Sequence, residues 1–254
     1  MKSTVFVTLA ILITGFVGMK VFADEVTAPR HVTLQAAGVH RVVIEAAAGY
    51  LHVQGSETAI NVQVEGTAAA PNQEILEEIH ITADQLGDTI TIKAEIPQHS
   101  GSWTSSPRLD LSVTIPASVQ LEIKDGSGEI KVAEVRSVNI KDGSGSIEIK
   151  NVQGAVSIND GSGGLKAVDI TGEVRIQDGS GSIDVRRAGS VVVEGDGSGG
   201  MSFMEIRGDV MVKSDGSGGI SVSDVGGNFT VLKDGSGSIG HKDVRGTVSL
   251  PNGR

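Results

Sequence analysis

The chain has 254 residues, a formal charge of −10, aromatics at only 3% and no cysteine. The acidic balance argues against nucleic-acid or anionic-lipid binding through bulk charge, and one Trp with one Tyr is poor material for a stacking platform. Without cysteine there are no disulfides, no thiolate metal site and no lipidated cysteine, so packing alone must hold the fold.

The N-terminus reads as a secretion signal. Lys2 supplies the positive region, residues 5–17 are mostly apolar, and Val21-Phe22-Ala23 offers small residues for cleavage, so the mature chain is expected to begin near Asp24. Thr8, Thr14, Gly15 and Gly18 interrupt the apolar run, and no later segment reads as a membrane span. The protein is therefore expected to be exported, to the periplasm, the cell surface or the medium.

Residues 24–120 are strand-rich but irregular and are expected to form less regular coils or a cap. Segments 40–45, 50–54, 59–65, 89–94 and 109–115 alternate apolar and polar residues, as half-buried strands do. Residues 72–78 could make one helical turn. Residues 98–107 form a polar loop carrying Trp103, the single tryptophan, which is either a contact anchor or a residue folded back over the first coils.

Residues 121–254 are dominated by a repeat. Asp-Gly-Ser-Gly begins at Asp125, Asp142, Asp160, Asp178, Asp196, Asp215 and Asp234, at intervals of 17, 18, 18, 18, 19 and 19 residues. The unit is Asp-Gly-Ser-Gly-x-Φ-x-Φ-x-x-Φ-x-Gly-x-Φ-x-Φ-x, with Φ apolar. Its columns include Ile130, Ile147, Leu165, Ile183, Met201, Ile220 and Ile239, and Ile140, Ile158, Ile176, Val193, Val212, Val231 and Leu250. Period-2 alternation gives two short strands per unit, and a fixed period stacks the units as coils of about 18 residues in a parallel β-solenoid. Lys131, Glu148, Lys166 and Asp184 form an outward column of alternating sign, which favours in-register stacking.

The stretch from Leu109 to Ile130, Leu-Asp-Leu-Ser-Val-Thr-Ile-Pro-Ala-Ser-Val-Gln-Leu-Glu-Ile-Lys-Asp-Gly-Ser-Gly-Glu-Ile, with the Ser-Gly-x-Ile units after it, resembles the exported "putative adhesin" β-solenoid domains of unknown function from bacteria. The resemblance spans roughly residues 33–250. It implies a right-handed parallel β-solenoid in the cell envelope and transfers no catalytic residue.

The seven aspartates invite two readings. In the simpler one each Asp caps its own turn through backbone N–H groups. In the other, stacked carboxylates bind calcium, although the Asp precedes the glycines and the second corner lacks the motif. The histidines are scattered without metal-ligand spacing. Gly-Ser-Gly is followed by strand rather than by a helix and lysine, which excludes a phosphate loop. A polysaccharide-acting enzyme would need convergent acid and base groups in a loop-walled cleft, and a row of identical Asp is not such a pair. The sequence thus favours a non-enzymatic scaffold without cofactor, meeting an envelope protein or glycan.

Overall fold

A computed structural model describes residues 21–22, 25–97 and 106–251. Most of them lie in strands of one continuous sheet wound into stacked coils. The expected leader, 1–23, lies outside the described residues apart from Val21–Phe22, which pairs antiparallel with the start of Glu25–Gln35. Among the described residues the only helix is Gln73–Glu78; Asn72 caps it, accepting the Ile75 N–H at 3.0 Å.

Alternation in the repeats becomes inside and outside of the coil. Val138 and Ile140 in Ser137–Asp142 are buried, and so are Val156 and Ile158 in the next coil. Parallel pairing sets like on like: Ile130 beside Ile147, Ile147 beside Leu165, Val138 beside Val156. Each aliphatic column thereby becomes a ladder, and burying one such side chain is worth about 1.5–3 kcal/mol.

The coil has more corners than two strands require. One residue per coil, just before an apolar residue that is buried in all but the last coil, adopts left-handed backbone: Glu134, Asn151, Asp169, Arg187, Glu205, Asp224 and Asp243, with φ between 52° and 61°. In the middle coils pairing runs through the corners, giving the 16-residue strands Gly163–Asp178 and Gly181–Asp196. Further along, the Asp corner itself forms short paired strands, Asp215–Ser217 and Asp234–Ser236.

Coil order is not chain order. Arg41–Glu45 pairs in parallel with both Thr89–Glu95 and Gln120–Lys124, and Leu51–Ser56 with both Arg108–Pro116 and Gly128–Ala133. Residues 41–56 are thus one coil filed between a later coil and the first Asp-Gly-Ser-Gly unit. Its corner, Ala46-Ala47-Ala48-Gly49, takes the place of the tetrapeptide: Ala46 N–H donates to Lys124 O (2.8 Å), Ser127 N–H donates to Ala47 O (2.9 Å), and Gly49 keeps a positive φ. Glu45 bridges the flanking coils through Lys93 (3.1 Å) and Lys124 (3.0 Å). These pairs are partly exposed, so Glu45→Ala is expected to cost no more than about 1 kcal/mol in chemical denaturation.

The two ends of the stack differ. At the N-terminal end Glu25–Gln35 and Asn61–Ala70 pair antiparallel, and Asn61–Ala70 pairs antiparallel with Arg108–Pro116. Arg30 ties the helix down by donating to Leu76 O (2.8 Å) and Ile79 O (2.7 Å). At the other end, among the described residues, Ile239–Val244 pairs only with Ile220–Val225, and His241, at an inward column position, is exposed above Phe229.

Candidate functional site

The aspartates occupy the inward phase of the alternation, following Val138 and Ile140, Val156 and Ile158, Val174 and Ile176. Five of them are buried: Asp142, Asp160, Asp178, Asp196 and Asp215. They stack in register from Asp142 to Asp234. Turn capping is present but long: Ser162 N–H donates to Asp160 Oδ1 at 3.2 Å and Ser180 N–H to Asp178 Oδ1 at 3.3 Å. Asp125, half-buried at the start of the stack, accepts a closer bond from Gly126 N–H at 2.8 Å. Burial, reinforced by neighbouring carboxylates, raises Asp160 and Asp196 to about 6; burial also raises Asp125 to about 6 and pushes Asp142 and Asp178 up. Among the described residues no group of three or more His, Asp or Glu side chains converges as a metal-binding cluster. Trp103 lies outside the described residues.

The outward column keeps its predicted register, with Lys131, Glu148, Lys166 and Asp184 side by side. Its close ion pairs nevertheless run along each strand, from Lys131 to Glu129 (2.8 Å), Lys150 to Glu148 (2.6 Å) and Arg186 to Asp184 (2.9 Å). Residues two apart on one strand share a face, so they meet without the coils having to adjust. At the head of this face His52 stacks on Tyr50, with centroids 4.4 Å apart, and bonds Glu129 at 2.9 Å.

A second surface was not anticipated. The left-handed corner opens a groove of about 880 Å3 along the axis over the last five coils. One wall is the left-handed column itself, Asp169, Arg187, Glu205, Asp224 and Asp243; Thr171, Arg207 and Arg245 form the other, over a floor that includes Ile170, Ile206 and Val225. Arg187 is held by both oxygens of Asp169, at 2.6 and 3.0 Å, and this pairing lowers the Asp169 carboxyl. Arg207 reaches across an intervening coil to donate to Thr171 O (2.7 Å) and Ile170 O (3.2 Å). The intervening coil is one residue short here, because the register shifts between Ile170/Ala188 and Glu173/Ser190, and Gly189 presents no side chain. Asp224 and Arg245 take part in no ion pair among the described residues. The groove therefore presents both signs of charge at fixed spacing over an apolar floor.

A sequence model of the Toastrack DUF4097 family matches residues 39–231, more than half of the chain. The chain belongs to the Toastrack DUF4097 family. The family match runs from the filed-in coil through the sixth Asp-Gly-Ser-Gly unit. Among solved structures, a "putative adhesin" from Bacteroides fragilis NCTC 9343 is similar at a TM-score of 0.52 and 12% identity, covering 88% of this chain and 97% of that one. That likeness shows the fold. A "putative lipid binding protein" from Parabacteroides distasonis ATCC 8503 gives a TM-score of 0.45 at 14% identity over 87% and 96% of the two chains. No curated protein matches.

Proposed function

We propose that this Toastrack chain is an exported, non-enzymatic interaction module of the bacterial cell envelope, presenting a rigid laddered surface to an envelope protein or glycan. The groove along the left-handed corner is the observation that carries this reading. It is open, it repeats with the coil, and it offers acceptors and donors from Glu205, Asp224, Arg207 and Arg245 over an apolar floor, a combination suited to an extended polar partner. The signal-like N-terminus supports export, and no helix among the described residues is long and apolar enough to cross a membrane.

Co-sedimentation of the purified chain with isolated envelopes tests the proposal. Asp224→Asn with Arg245→Gln is expected to reduce binding several-fold while stability stays within about 0.5 kcal/mol of the parent. Binding of the parent should also weaken as salt rises. Equal sedimentation of parent and double variant would remove the groove from the account, and turnover on a panel of envelope glycans would remove the non-enzymatic reading.

A further inference from the structure

The buried aspartates are not used by the groove and demand an account of their own. Asp142, Asp160, Asp178 and Asp196 are 8%, 3%, 2% and 5% exposed and lie directly above one another, at about the 4.8 Å strand spacing. Oδ2 of Asp160 and of Asp178 is buried without a hydrogen-bond partner, and neither carboxyl oxygen of Asp142 or of Asp196 is within good hydrogen-bond geometry, although the backbone N–H groups of Gly143, Ser144, Gly197 and Ser198 lie near enough to oppose part of the burial effect. No Lys, Arg or His among the described residues is ion-paired with any of the four. Lys141 precedes Asp142 but sits on the outward face. What faces each carboxyl from the coils above and below is another carboxyl. The stack continues to Asp215 at one end and to Asp125 at the other, where Ala46 ends it.

A file of charges in that setting is opposed twice, by lost hydration and by like-charge repulsion, and a proton relieves both. We propose that the carboxyls from Asp142 to Asp196 share protons along the stack, a protonated side chain donating its O–H to the ionised neighbour, so that the solenoid tightens on mild acidification. The protons come from solvent. Each shared proton removes one charge and supplies the missing donor to an otherwise unsatisfied oxygen. Asp160 and Asp196, alternate members of the file, are pushed to about 6 by burial first and by their flanking aspartates second.

The sign follows from linkage. A carboxyl raised in the folded state stabilises fully below its ordinary value, near pH 4, and loses that stabilisation as pH rises through about 6. The opposite trend comes from surface carboxylates held down by cations, such as Glu45 by Lys124 and Glu129 by Lys131, which lose their contribution as they protonate. The stability maximum is therefore expected on the acid side of neutrality, at about pH 5.

The test is thermal unfolding of the full chain at about pH 7.5 and about pH 5, for the parent and for Asp160→Asn with Asp178→Asn and Asp196→Asn. The parent should gain several degrees in Tm on acidification. The amide variant should be at least as stable as the parent at the higher pH, because stacked Asn side chains supply donors without charge, and it should lose most of the acid gain. If the triple variant does not fold, Asp178→Asn alone should show the same trend, smaller. A parent Tm that is flat or falls on acidification, or an Asn variant that keeps the full gain, would overturn the proposal. A further arm adds millimolar calcium, or chelator, at about pH 7.5. Calcium stabilising the parent but not the Asn variant would make the stack a cation site and overturn proton sharing; no calcium effect, together with the acid gain, supports it.

Discussion

Gly181→Ala is expected to destabilise the chain by about 2–6 kcal/mol, from backbone strain of about 1–3 kcal/mol and overpacking of about 1–3 kcal/mol. Gly181 holds φ at +141°, a conformation side-chain-bearing residues rarely adopt, and an added Cβ would lie 1.6 Å from Gly163 O in the coil beneath. Neither problem has a local remedy, because the obstructing atom is backbone already committed to the ladder. Gly164→Ala is the matched control: its φ is not in the positive range, and the nearest atom to its Cβ would be Ser182 Oγ at 3.7 Å. That change is expected to stay within about 1 kcal/mol of the parent, on the stabilising side, since glycine weakens a strand interior. Urea denaturation of the two variants beside the parent checks both expectations.

Phe203→Ala should cost about 3–5 kcal/mol, the range for emptying a buried aromatic site. Phe203 is 1% exposed and stands in a column between Val185 and Val222, two coils above Ala167, so neighbouring side chains cannot swing in to fill its space. A coil rests only on its neighbours, so the loss is expected to be local. Hydrogen exchange should accelerate for residues 196–250, beyond the lesion toward the open end, and stay slow for residues 41–124 on the capped side. Uniform acceleration along the chain would show a cooperative unit larger than the stack of pairwise interfaces allows.

The aliphatic columns made the coil and its register legible, because each buried position recurs with the same residue type. The inward aspartates were legible in principle: Val138, Ile140 and Asp142 alternate without a break. Their polarity and the adjoining glycines pointed to an exposed turn cap instead. The left-handed corner leaves a weaker trace, a pair of polar residues such as Lys150-Asn151 or Arg186-Arg187 that interrupts alternation before a buried residue. The groove was hidden for that reason. Residues 178–195 keep the 18-residue interval while losing a residue at the Gly189 corner and gaining one at Glu194, so two changes cancel in the spacing. The filed-in coil was hidden because Ala46-Ala47-Ala48 replaces Asp-Gly-Ser, leaving Gly49 as the only remnant of the motif. Its place between two other coils is a long-range pairing choice that local pattern does not encode.

In-register stacking with residues 41–56 filed inside the stack supports the aspartate file, the groove and both stability predictions. The absence of cysteine allows it to be tested by paired substitution. His52 pairs with Ser112 on one side and with Lys131 on the other, all three on the outer face. Cysteines at 52 and 112, or at 52 and 131, stand one strand spacing apart, within the Cα separation of about 4.4–6.8 Å that a disulfide needs. Cysteines at 112 and 131 stand two spacings apart, beyond that range. The account predicts intramolecular disulfides, read by mass spectrometry after mild oxidation, in His52→Cys/Ser112→Cys and in His52→Cys/Lys131→Cys but not in Ser112→Cys/Lys131→Cys. A disulfide in Ser112→Cys/Lys131→Cys and none in His52→Cys/Lys131→Cys would mean that the coils stack in chain order, which would contradict it.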